Sequence, residues 1–241
     1  MKKELFYVII IINECDMETL MYKTEPHMHV AEVSPCGKVG ARELVKLYSE
    51  AGYKTVFVSD HLKKKTLEVM GDIPWEEKTA KFISGYEIAK AAGEEYGVNV
   101  ILSAELMLTE SSNHYLLYGI DKEFLDKRQD IFDMSITDFC RYARECGVTV
   151  IQAHPYRDGR ANPAPKGSVD AIEVFNSNPR HDNYTELAIA YAEENGFPMT
   201  AGSDTHRYED VAKSGVITPY EIKTAEDYVR AVKGGELIII N

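Results

Sequence analysis

The sequence predicts an α/β protein built on a largely parallel sheet of barrel size, and three observations predict it. Short β-rich runs alternate with amphipathic segments along the chain, the pattern of repeated β-α units. Histidines and acidic residues cluster at the ends of the apolar runs. At 241 residues, 44% of them hydrophobic, the chain fits one α/β barrel, and neither a composition break nor an internal repeat divides it. Residues 1–241 are therefore expected to form a single domain.

Lys2 and Lys3 precede an apolar run, Leu5–Ile12. That run is too short to cross a bilayer, and the Asn13-Glu14-Cys15-Asp16 after it is no small-residue cleavage site, so a buried strand is expected. Further strands are expected at Tyr22–Val30, Thr55–Ser59, Val98–Leu102, Tyr115–Tyr118, Val148–Gln152, Ala171–Phe175, Met199–Ala201 and Glu236–Ile240. Helices are expected at Ala41–Ala51, Trp75–Tyr96, Ser135–Glu145, Asn183–Asn195 and Ala225–Lys233. Gly52 and Gly97 stand where helices should end, and Thr224 where one should be capped. Asp158–Ser168, rich in Gly, Pro and Ala, reads as a long loop after a strand.

The net charge of −12 speaks against a nucleic-acid backbone as the main partner, since such binders carry a basic face; no large nucleic-acid surface is expected. An anionic small substrate is compatible with that charge, because bound divalent cations reverse the local field. Cys15, Cys36, Cys140 and Cys146 form no CxxC pair and fit reduced thiols in a cytoplasmic protein. No segment is long and apolar enough to span a membrane, so no membrane partner is expected.

The histidines carry the functional signal. His27 and His29 stand two apart and on a strand would point the same way. His61 follows the strand ending Val58-Ser59-Asp60, Glu105 ends Asn99-Val-Ile-Leu-Ser-Ala, and His154 ends Val148-Thr-Val-Ile-Gln-Ala. Asp204 and His206, again two apart, follow Met199-Thr-Ala-Gly-Ser. These groups lie at the carboxyl ends of strands, the face where βα barrels collect functional residues. His114 is the odd member, standing at a strand start. Imidazole and carboxylate suit zinc, manganese or iron, and eight such groups exceed the needs of one ion, so two or three divalent ions are expected. His181, in Asn178-Pro-Arg-His-Asp, is read as a surface residue.

These motifs resemble the polymerase and histidinol phosphatase (PHP) superfamily: His27-Met-His29, Ser59-Asp-His61, Ser103-Ala-Glu105, Asn113-His114, Ala153-His-Pro155 and Gly202-Ser-Asp-Thr-His206, in the family's order from about residue 22 to 217. The resemblance implies a distorted seven-stranded βα, TIM-like barrel with a metal cluster, commonly of three ions, at the carboxyl face. It implies that Glu105 bridges two ions, with His27, His29 and Asp204 on one side, that His114 and His154 serve the second ion, and that His61 and His206 serve the third. Two departures stand out. Where the family has an Asp or His shortly after the first pair, this chain offers Glu32 or Cys36, and Ala104 replaces a common glycine.

The chain is too short to hold a polymerase, so the resemblance implies a stand-alone, histidinol-phosphatase-like phosphoesterase acting on a small phosphorylated metabolite or short nucleotide. Metal-activated hydroxide would attack phosphorus in line, with Glu105, Asp204 and His206 at the chemistry. Arg157 and Arg207 are the arginines best placed to grip phosphate, with Arg160 on the same loop as Arg157. Asn176 and Tyr156 are further neighbours of the expected site. Rival readings are another metal-dependent barrel hydrolase, of the amidohydrolase or TatD-type nuclease kind, and a metal-binding module without turnover. The Asp60-His61 pair and Asp204-x-His206 favour the PHP reading over the first, and the near-complete donor set favours it over the second.

Overall fold

In the computed structural model, residues 21–241 are described; the expected strand Leu5–Ile12 and Cys15 lie outside them. The elements are β1 (Tyr22–Met28), α1 (Ala41–Glu50), β2 (Tyr53–Val58), β3 (His61–Lys63), α2 (Lys64–Glu68), α3 (Trp75–Phe82), α4 (Ser84–Tyr96), β4 (Asn99–Met107), β5 (His114–Tyr118), α5 (Lys122–Lys127), α6 (Ile136–Glu145), β6 (Thr149–Ala153), β7 (Ala171–Asn176), α7 (Thr185–Asn195), β8 (Met199–Gly202), β9 (Gly215–Thr218), α8 (Ala225–Gly234) and β10 (Ile238–Ile240). The sheet order is β10-β9-β1-β2-β4-β5-β6-β7-β8, with β3 lying on β4.

The sheet makes a distorted, nearly closed barrel, as expected, but it has ten strands among the described residues rather than seven; β1, β2 and β4 to β8 form its wall. A parallel bridge between Met28 and Thr205 brings the two ends of the wall together, with His29 N donating to Thr205 O at 3.0 Å. The short β3 and the antiparallel β9 are additions that hydropathy alone did not indicate, while β10 answers the expected strand Glu236–Ile240 and pairs antiparallel with β9. So are α2 and α5, each little more than one turn.

The wall is less uniformly parallel than the alternation of elements suggested. β5 runs antiparallel to both β4 and β6. The reason lies in the connection. β4 continues past Leu102 to Met107, so only Leu108–Asn113 joins it to His114, too short for the crossover of a dozen or more residues that a parallel neighbour needs. The expected helix Trp75–Tyr96 is likewise two helices, interrupted at Ile83 (φ −82°, ψ −2°). Other boundaries follow their local chemistry. α4 stops at Gly97, which takes the left-handed conformation at φ 68°. Thr224 and Asp227 cap α8 reciprocally.

Inside the barrel, α8 packs Tyr228 against Phe57 and Tyr118, with ring centroids 5.0 and 4.7 Å away. Each such buried ring contributes about 1.5–3 kcal/mol. Tyr228 meets Thr200 at 2.6 Å, so its hydroxyl is not left unpaired in the interior. This packing fills part of the interior, while the carboxyl ends of the parallel strands carry the polar residues described next.

Candidate metal centre

The eight groups singled out in the sequence meet at one place. His27 is on β1 and His29 just beyond it, Glu105 is on β4 in register with His61 on β3, and His154 follows β6. Asp204 and His206 follow β8. The reversed direction of β5 explains His114: its starting residue lies opposite Met107 and Ala153, at the same end as the ends of β4 and β6.

Glu105 is the hub. Its Oε1 lies 2.8 Å from His114 Nδ1, 3.0 Å from His154 Nε2 and 3.6 Å from His27 Nε2. Its Oε2 lies 2.5 Å from His61 Nδ1 and 3.6 Å from His29 Nε2. Asp204 Oδ1 lies 3.2 Å from His29 Nε2 and 3.4 Å from His27 Nε2. Three groupings have the spacing of a metal site: His27, His29 and Asp204; His61, Glu105 and His114; His29, His61 and His206.

Burial sharpens the electrostatics. It works against the Glu105 charge, yet His114 and His61 hold that carboxyl well below the usual range. Arg157 and His27 do the same for Asp204. Burial also disfavours a charged His27, but Glu173 and Asp204 raise it to about 10. His154 is pushed down to about 4 by burial and by Arg157. Meanwhile Glu105 Oε2, Asp204 Oδ1, His61 Nδ1 and His154 Nδ1 are buried without a hydrogen-bond partner. Unpaired buried donors and acceptors are costly, and here they belong to residues of the types that ligate zinc, manganese or iron. The residues present fit divalent metal ions.

A second layer holds these groups, and sequence reasoning had not picked out its main members. Glu173 on β7, almost wholly buried, accepts from His27 Nδ1 at 2.8 Å, from His154 N at 3.1 Å and from Asn176 Nδ2 at 2.9 Å. Glu25 accepts from the backbone of His27 and Ser203 and from Tyr48. Gly202 leaves room for this layer, because a Cβ there would fall 2.6 Å from His27 Cβ. The signal was present: Glu25 and Glu173 are lone carboxylates inside strand runs, and a buried carboxylate needs partners.

Arg157 belongs to this layer as well. It donates to Asp204 Oδ2 at 2.6 Å, Asn176 Oδ1 at 2.9 Å and Asn183 Oδ1 at 2.9 Å. His154 and Asp204 adopt φ of 29° and 51°, uncommon for non-glycine residues, as the chain turns sharply after β6 and β8.

Beside the centre opens a cavity of about 400 Å³, whose lining includes Cys36, His61, His114 and His206 of the centre together with Lys63, Arg157, Arg180, Arg207 and His181. An acidic chain thus presents a basic mouth. Arg180 is braced by two hydrogen bonds to Asp210, whose Oδ2 also accepts from His206 N and Arg207 N. Arg207 is half exposed, with Glu209 at 3.8 Å. His181 stands on the cavity wall and pairs with Asp158 at 2.8 Å, away from the cluster. Arg160 does not line the cavity; its carbonyl accepts from Ser112. Tyr156 packs against Tyr191. Of the two residues offered for the departure after His29, Glu32 accepts from Ala41 N at the start of α1, while Cys36 Sγ lies 3.1 Å from His61 Nε2.

Comparison with known proteins agrees with this architecture. Residues 183–237 match the PHP-associated (PHP_C) family model. No curated protein sequence matches the chain. Among solved structures, the chain is similar to a two-domain protein from Bacteroides vulgatus containing a predicted PHP-like metal-dependent phosphoesterase, at 16% identity and a TM-score of 0.66, covering 91% of this chain and 64% of that one. It is similar to PsfC from Pseudomonas syringae at 16% identity and 0.66, covering 87% and 88% of the two chains. It is also similar to a lesion-specific endonuclease from Pyrococcus furiosus at 16% identity and 0.61, covering 91% and 57%. The chain thus spans less than two thirds of the Bacteroides and Pyrococcus proteins, and at these identities the likeness is one of fold. The fold and the cluster define a βα barrel with a candidate metal centre at one end of its strands. In its C-terminal segment the chain matches the PHP-associated model, and its fold is similar to that of PHP-like proteins of solved structure.

Proposed function

We propose that this chain is a metal-dependent phosphoesterase acting on a small phosphate ester, either a phosphorylated metabolite or a short nucleotide. The observation that carries the reading is the juxtaposition of the Glu105-centred cluster with a basic mouth. His27, His29, Glu105 and Asp204 would hold one ion, Glu105, His114 and His154 a second, and His61 and His206 a third. Zinc, manganese or iron bound there would supply Lewis acidity, making water more acidic at neutral pH and offsetting charge on phosphoryl oxygens.

The chain's own residues do the rest. Arg207 and Arg180 orient the ester's phosphoryl group at the mouth, and Lys63 adds charge from β3. Arg157, fixed by Asn176 and Asn183, keeps Asp204 aligned and ionised while its face toward the cavity is available to substrate. Glu105, Asp204 and His206 stand closest to the chemistry. Overall, water oxygen bonds to phosphorus, the phosphorus–oxygen bond to the alcohol breaks, and the alcohol leaves with a proton.

The test is a parallel assay of the protein reconstituted with manganese or zinc. Phosphate release from a panel of monoesters that includes histidinol phosphate is measured beside turnover of a phosphodiester and of an amide or lactone. Monoester turnover above the rest is expected. Exclusive amide or lactone turnover would move the chain to the amidohydrolase class, and no turnover with metal bound would leave a binding module.

A further inference from the structure

We propose that Cys36 is a thiolate ligand of an ion held with His61 and His206, so that this corner of the centre takes zinc or cobalt in preference to manganese. The inference rests on the metal-centre reading above, and adds a sulfur donor to it. Cys36 lies between β1 and α1, on a loop that folds back over the end of β1. Ser34 N donates to Val30 O and Gly37 N to Ser34 O. A Cβ on Gly37 would stand 3.0 Å from the Val30 carbonyl carbon, so the fold-back is too close for other residues without adjustment. Lys38 N then donates to His206 O at 2.7 Å, stitching the loop to the turn that carries Asp204 and His206.

Three donors converge at that stitch. Cys36 Sγ is 3.1 Å from His61 Nε2, and His61 Nε2 is 3.4 Å from His206 Nε2. Both imidazoles have their other nitrogen turned to oxygen: His61 Nδ1 faces Glu105 Oε2 at 2.5 Å, and His206 Nδ1 faces Asp204 O at 2.8 Å. A proton on His206 Nδ1, held by the Asp204 carbonyl, leaves its Nε2 lone pair free for a metal, the arrangement that an outer-shell acceptor imposes on a metal-binding histidine. The nitrogen separation is close to the roughly 3.4 Å that two imidazoles keep around a tetrahedral zinc at about 2.0–2.1 Å.

The competing carboxylate is engaged elsewhere, since both Glu32 oxygens lie 3.0 Å from Ala41 N. Thiolate favours zinc over manganese, which prefers oxygen. Cys36 is also solvent-accessible, so an ion at this corner can exchange without opening the barrel.

The test is cobalt titration of metal-free protein, followed by near-ultraviolet absorption and metal stoichiometry. Wild type should develop a thiolate-to-cobalt charge-transfer band. Cys36→Ser should lose that band and one equivalent of tightly bound ion, with zinc at that position weakened about tenfold or more. A variant that keeps Cys36 but carries Cys15→Ser, Cys140→Ala and Cys146→Ser should retain the band. A band that persists in Cys36→Ser, or its absence from cobalt-loaded wild type, overturns the assignment. Either result is independent of phosphate release, so this inference and the phosphoesterase reading fail separately. A failure of cobalt to bind at all also overturns the assignment.

Discussion

The floor and the rim of the centre are built differently. The floor comprises His27, His29, Glu105 and Asp204, all fully buried, and is braced by Glu25, Glu173 and Arg157 through hydrogen bonds that involve strand residues or strand ends. The rim comprises Cys36, Lys63, Arg180, His181 and Arg207, which sit on loops or on the short β3 and have solvent on one side. The difference teaches where constraint resides. Donor geometry on the floor is locked by packing and by buried carboxylates that each hold several partners at once, whereas rim side chains are expected to tolerate changes of charge and chemistry without disturbing the wall.

Substitutions on the two sides should therefore diverge, and the largest effect belongs to the hub. Glu105→Gln removes one negative charge from contacts with five imidazoles and is expected to lower both phosphate release, by about 10³-fold, and metal content. Full activity in that variant would remove Glu105 from the chemistry. Next comes the brace. Glu173→Gln keeps the size of the side chain but weakens its hold on His27 Nδ1, and metal affinity measured by chelator competition should fall about 10–100-fold. An unchanged affinity would erase the distinction between a braced floor and a free rim.

On the rim, Arg207→Ala should raise KM about tenfold, the worth of roughly 1.4 kcal/mol from a charged phosphate contact, and leave metal content intact. Loss of metal there would show that the rim is not independent of the floor. The smallest effect is expected for His181→Ala, which pairs with Asp158 and lies outside the donor cluster. Its metal content should equal that of wild type when measured on the same preparation, and a drop would place it among the ligands.

Much of the floor was legible in the sequence because strand periodicity is rigid. Two residues apart on a strand means one face, so His27 with His29 could be paired before any coordinates, and the ends of apolar runs placed Glu105 and His154 on one level. The rim was less legible. Arg180 reaches the cavity through a loop after β7, and its salt link to Asp210 leaves no periodic trace. Lys63 depends on a three-residue strand too short to show alternation. The direction of β5 was hidden for a third reason: β4 runs five residues beyond its strongly apolar stretch, through Ser103 and Glu105, which made the connection look long enough for a crossover. The carboxylates at positions 25 and 173 were visible as charges inside strands, yet only their partners reveal what they hold.

The reversal of β5 has a consequence for how proteins of this shape can diversify. His114 is pinned from both sides, by β4 through Met107 and by β6 through Ala153, so its position does not depend on the span Leu108–Asn113. That span leads into His114, which lines the cavity, and Thr109, Glu110 and Ser112 within it are exposed. Residues can be gained or lost at its tip while the strand registers, and with them the donor atoms, stay in place. A hairpin at this point separates change in the exposed loop from the inheritance of what the barrel holds.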